Sequence, residues 1–149
     1  MEYTSEIITG IIASIFFELL RVFGLPIFQG RRYNVPDIAG NWRGYDIKQD
    51  GTKTESMLLE IKQLGTKIKA IIRRKAPTDS ETRVFKYEGT FISGQVLLKW
   101  KEIKGEGYNM GALVLKLSGN LKELKGKTTY FHHDKGEIVS SDRVFEKIH

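Results

Sequence analysis

Apolar residues are distributed in two different ways along this chain. From Ile7 to Phe28 they run almost continuously, with Glu18 and Arg21 as the only charges, whereas beyond Pro36 they alternate with polar residues. The first pattern predicts a helix; at 1.5 Å per residue it reaches about 33 Å, enough to cross a hydrocarbon core of about 30 Å. The second predicts half-buried strands, because side chains one apart on a strand point to opposite faces. Met57, Leu59 and Ile61 form one such set, Ile68, Ala70 and Ile72 another, and Leu113, Leu115 and Leu117 a third. Turn residues recur between the runs at Asp50-Gly51, Leu64-Gly65, Lys75 to Ser80, Ser93-Gly94, Lys104 to Gly107, Ser118 to Asn120 and Asp134 to Gly136. Seven turns separate eight strands, and connections this short make neighbours antiparallel. The expected fold is mainly β: an N-terminal membrane helix over residues 1–29, a linker over 30–37, and an eight-stranded antiparallel up-and-down β-barrel over 38–149. Closure removes unpaired edges; a split sandwich is the alternative.

The helix needs an account of its charges, because a charged side chain near a bilayer centre costs several kcal/mol. Glu18 and Arg21 lie three apart, on one helical face, where they can pair. Gly10, Ser14 and Glu18 fall at four-residue spacing and form a small, polar stripe on which like helices can pack. A spanning or bundle-forming helix fits these features best. A secretory signal fits poorly, since Glu2 and Glu6 precede the apolar run and no Lys or Arg does; an interfacial helix would need a broad basic face. Arg31 and Arg32 follow directly, so positive-inside bias puts the remainder in the cytosol.

Composition adds charge and removes some chemistry. Without cysteine there is no disulfide framework and no thiolate metal site. The net charge is +6, and all but three of the 24 basic residues lie beyond residue 37, which favours anionic partners. An eight-stranded barrel is filled by side chains or holds one small ligand, so polar residues among apolar neighbours are the candidates for a lining. These are Arg43 and Tyr45, Arg73, Tyr87, Trp100, Tyr108, Thr129, Tyr130 and His132 in the run from Thr128, and Ser141 and Arg143 between Val139 and Phe145. Guanidinium forks match phosphate oxygens and aromatic faces stack on bases, so the set suits a nucleotide. Arg143 fits a ligand contact and a solvent-facing ion pair equally, and Trp42 fits a stacking or a core role. His132 and His133 point to opposite faces of a strand and cannot share one metal. No phosphate loop, nucleophile elbow or helical HExxH is present, so a binding module is expected, with no cofactor and no catalysis.

The run Asp37-Ile38-Ala39-Gly40-Asn41-Trp42-Arg43-Gly44 before the first strand, and Leu59 to Ile68 across the second hairpin, resemble the SMODS-associated transmembrane β-strand-rich effectors of CBASS antiphage systems. The resemblance implies a barrel in the bacterial cytoplasm, anchored in the inner membrane, that binds a cyclic di- or oligonucleotide made by a partner nucleotidyltransferase. It further implies a homo-oligomer that disrupts the bilayer through Gly10, Ser14, Glu18 and Arg21, with no DNA as partner. That family typically has two membrane segments before the barrel, and this chain has one. A Gly-x-Trp opening also occurs in lipocalin-like barrels, which carry lipids and other hydrophobic small molecules.

Overall fold

The computed structural model describes residues 2–32, 35–48, 50–75, 81–104, 109–132 and 136–148. Eight strands follow the helical segment: β1 (Gly40–Ile47), β2 (Lys53–Leu64), β3 (Lys67–Arg74), β4 (Arg83–Ile92), β5 (Gln95–Lys104), β6 (Met110–Leu117), β7 (Glu123–His132) and β8 (Glu137–Lys147). Each pairs antiparallel with its sequence neighbours, and β1 pairs with β8 to close the barrel. The three alternating sets predicted to face inward are all buried.

The barrel has two unlike ends. At its base, where β2–β3, β4–β5 and β6–β7 turn, Trp42, Phe91, Val96, Leu98, Leu115 and Leu124 are fully enclosed. Trp42 Nε1 donates to Ile38 O at 2.9 Å, so the residue leading into β1 is drawn over this end as a plug. The opposite end, the mouth, carries the β1–β2, β3–β4, β5–β6 and β7–β8 connections. A bulge in β2 gives Gly44 Met57 as partner and Tyr45 Glu55, which leaves Ser56 extra and turns Ser56 and Met57 inward together. Gly111 in β6 is required sterically: a Cβ there would overlap Thr129 O and press on the Trp100 indole.

The helical segment is α1 (Glu2–Leu19), a π-helical turn (Leu20–Gly24) and α2 (Leu25–Arg32). Gly30, Arg31 and Arg32, placed in the linker by the sequence reading, are the last residues of α2. The wider turn has a cause. Pro26 offers no N–H to the carbonyl four residues back, Val22 O, and Lys67 Nζ donates to that oxygen instead at 3.2 Å. α2 docks on the base of the barrel: Thr66 N donates to Pro26 O at 3.3 Å, and Gly30 lies against Gly65. Gly65 adopts φ +58°, and any side chain there would collide with the Pro26 carbonyl. Gln63 completes the joint, accepting from Ile38 N at 2.9 Å and donating to Pro36 O and Gly65 O at 3.1 and 2.9 Å. From Ile8 to Arg21 the helix residues whose side chains are described are exposed, so α1 leaves the barrel. The 23-residue stretch Gly10–Arg32, whose most apolar 18-residue window has a mean hydropathy of 2.0, is long and apolar enough to cross a membrane.

Candidate ligand-binding cavity

Strand alternation that fills the base with aliphatic residues places polar and aromatic ones at the mouth, around a cavity of about 460 Å³. On one wall, Asp46 from β1 receives Arg143 Nη1 at 2.7 Å, Arg74 Nη2 at 3.2 Å and Ser56 Oγ at 2.7 Å. The bulge at Ser56 is what brings the hydroxyl into this group. Arg74 Nε, also buried here, has no hydrogen-bond partner among the described residues. On another wall, Arg83 grips Glu102 with two hydrogen bonds, Nε to Oε1 at 2.8 Å and Nη2 to Oε2 at 3.0 Å, and Asn109 Nδ2 donates to Glu102 Oε2 at 2.9 Å.

Between them lies an aromatic group centred on Trp100. Phe85 meets its indole edge-on at 5.5 Å, Tyr87 at 6.1 Å and Tyr130 at 6.3 Å, and Tyr130 stacks on His132 at 6.4 Å. The indole is fixed in orientation because Nε1 donates to Thr128 Oγ1 at 3.1 Å, and that hydroxyl donates to Ala112 O at 3.2 Å.

Burial draws the Arg143 guanidinium down from its ordinary value, the Asp46 carboxylate draws it up, and the neighbouring Arg74 lowers it again. Its side chain is only 11% exposed, yet an arginine stays charged. Burial pushes the Tyr87 hydroxyl far up, so it is neutral and can donate. Burial also pushes Glu102 upward, but its bonds from Arg83 and Asn109 outweigh this and hold the carboxyl below the ordinary range. Three guanidinium groups against two carboxylates leave one net positive charge on the walls. The arrangement offers an anion site beside aromatic surface.

Of the residues singled out from the sequence, Tyr87, Trp100, Tyr130, His132 and Arg143 line the cavity. Ser141 pairs with Thr128 and so shares the inward face, beyond the lining itself. Arg43, Tyr45, Arg73 and Thr129 do not belong to it. Arg43 pairs with Glu55 at 3.2 Å outside, Lys53 lies 5.8 Å over the Tyr45 ring, and Arg73 reaches Glu60 at 3.6 Å. Thr129 pairs with exposed Ser140, one position out of phase with Thr128. Trp42 is core. Tyr108 and His133 lie outside the described residues. Thr128, the first residue of the polar run, lines the cavity too, and Arg74, Arg83, Phe85 and Asn109 were missed. For Arg74 the signal was present: the period-two set Ile68, Ala70 and Ile72 continues to residue 74 and not to 73.

On the helix, Glu18 and Arg21 pair at 3.6 Å, both well exposed, and Ser14 Oγ donates back to Gly10 O at 2.9 Å. Ser14, Ile15, Glu18, Leu19, Val22 and Phe23 border a shallow groove along one face. Among the described residues no cluster of His, Asp and Glu is placed to hold a metal ion. No protein-family model matches the chain, and no curated protein is significantly similar to it.

Proposed function

We propose that this protein is a membrane-anchored nucleotide sensor whose barrel mouth binds a cyclic nucleotide second messenger. One observation carries the reading: Arg74 and Arg143, held by a shared carboxylate, stand beside the Trp100 aromatic group in a single cavity. Phosphate suits the guanidinium side, with Arg74 Nε still unpaired, and a base suits the ring faces. A volume of about 460 Å³ is in the lower half of the range for drug-sized ligands. It accommodates one base with its phosphate, and the rest of a dinucleotide extends beyond the mouth.

The resemblance to CBASS effectors supplies the setting. On that reading the barrel is cytoplasmic, the helix is in the bacterial inner membrane, a nucleotidyltransferase makes the ligand, and ligand-driven assembly of helices disrupts the bilayer. Ligand shifts assembly by no more than its differential affinity for the two states. The arginine-lined mouth weighs against a lipocalin-like carrier of hydrophobic molecules, because an apolar ligand would desolvate these ion pairs and leave Arg74 Nε without a partner.

Isothermal titration of the full chain in nanodiscs with cyclic di- and trinucleotides tests the proposal. Saturable binding that discriminates among bases at fixed salt is expected; silence across the panel, together with a solvent-extractable lipid in the purified protein, overturns it.

A further inference from the structure

We infer that the helix-side end of the barrel is itself a docking surface for the headgroups of anionic phospholipids. The apolar helix leaves the barrel from this end, so its insertion brings the base of the barrel to the bilayer surface. Two hairpin tips there expose aliphatic side chains. Leu121 is 47% exposed with φ +59°, a left-handed conformation that leucine rarely adopts, although Gly119 and Asn120 are its neighbours in the turn. The conformation is built, not loose: Leu121 N donates to Ser118 O at 3.0 Å, and Asn120 Oδ1 accepts from Ser118 Oγ at 2.6 Å and Lys122 N at 3.0 Å. Ile92 is exposed beside the β4–β5 tip.

Lysines face one another near this end of the barrel, with Glu60, Glu88 and Glu123 among them. Lys116 faces Lys125 across β6–β7, and Lys62 faces Lys69 across β2–β3, arrangements that repel within the isolated barrel. Lys125 is paired with Glu123 and Lys62 with Glu60, but Lys116 and Lys122 have no carboxylate partner among the described residues. Lysines flanking exposed aliphatic tips match an anionic interface, which accepts both. A second copy of the same basic surface would be repelled.

The inference rests on insertion of the helix, and the test separates the two. Because the chain has no cysteine, single labels can be placed at Ile12→Cys, Leu121→Cys and Ser140→Cys in the full chain. The protein is reconstituted into vesicles of phosphatidylcholine alone or with phosphatidylglycerol, and quenching by headgroup- or chain-labelled lipid is read. The expected result is chain quenching at residue 12 in both vesicles, headgroup quenching at 121 only with phosphatidylglycerol, and none at 140. Replacing Lys116, Lys122 and Lys125 by Gln should lower the docked population at 121 by roughly fivefold for each lysine. An unquenched residue 12 would defeat helix insertion and this inference together. A quenched residue 12 with 121 unquenched, quenched equally in both vesicles, quenched along with 140, or insensitive to the lysine substitutions would defeat this inference alone.

Discussion

Arg73 and Arg74 are neighbours in β3, and the pleat sends them to different places. Arg73 reaches Glu60 on the outer wall at 3.6 Å, and Arg74 reaches Asp46 inside the mouth at 3.2 Å. The nearby pair of Arg83 and Glu102 shows what a well-enclosed ion pair adds: the Glu102 side chain is 1% exposed and accepts from both Arg83 and Asn109. Since the folded carboxyl lies below its unfolded value near 4.5, its contribution is complete above that pH and is lost as pH falls through the lower folded value. Glu102→Gln should destabilise by about 1–3 kcal/mol at pH 7, and thermal melts should show the gap to wild type closing below about pH 4.5. A gap that stays constant through that range would count against the network. Trp42→Ala, by leaving a cavity in the core at the base and removing the bond to Ile38 O, should cost about 3–5 kcal/mol in denaturant unfolding.

At the scale of elements, the β2–β3 hairpin joins the two halves of the molecule. Pro26, Gly30 and Val22 from the helical segment meet Gly65, Thr66 and Lys67 at its tip. Gly30→Ala tests the joint cleanly: it favours helix, yet its Cβ would lie 2.7 Å from Gly65 Cα. Tryptic cleavage at Arg31 and Arg32 should rise roughly tenfold, corresponding to about 1.4 kcal/mol of lost docking, while the barrel melts as before. Glu18→Leu should change assembly in detergent, read by analytical ultracentrifugation, and leave nucleotide affinity unchanged; equal loss of both would mean that helix and barrel do not act separately. The turns at Asp50-Gly51, Leu64-Gly65, Ser93-Gly94 and Ser118 to Asn120 were legible because each carries Gly, Asp, Asn or Ser where the chain reverses. The bulge at Ser56 was not, since nothing in Glu55-Ser56-Met57 distinguishes a polar residue facing out from one turned in by an extra position.

For the whole molecule, the cavity and the helix lie at opposite ends of one barrel. Strands of eight to twelve residues, tilted as barrels require, separate them by about 20–30 Å. The base is sealed by Trp42, Phe91 and Leu98, so the barrel is a cup and not a channel. Half of the cavity was legible, the aromatic half, because Tyr87, Trp100 and Tyr130 stand out among aliphatic neighbours. Of the arginine half, Arg143 was legible from its period-two set with Val139, Ser141 and Phe145; Arg74 and Arg83 were legible only by carrying strand phase through to the strand ends, where a single bulge changes the answer. That phase gives the most direct test of a nucleotide site at the mouth. Binding of the best ligand from the cyclic nucleotide panel should be measured by calorimetry for Arg74→Ala and Arg73→Ala, with thermal melts confirming that both fold. Arg74→Ala should lose roughly 10–100-fold in affinity and Arg73→Ala less than about twofold. Equal losses, or a loss confined to Arg73→Ala, would contradict a nucleotide site at the mouth.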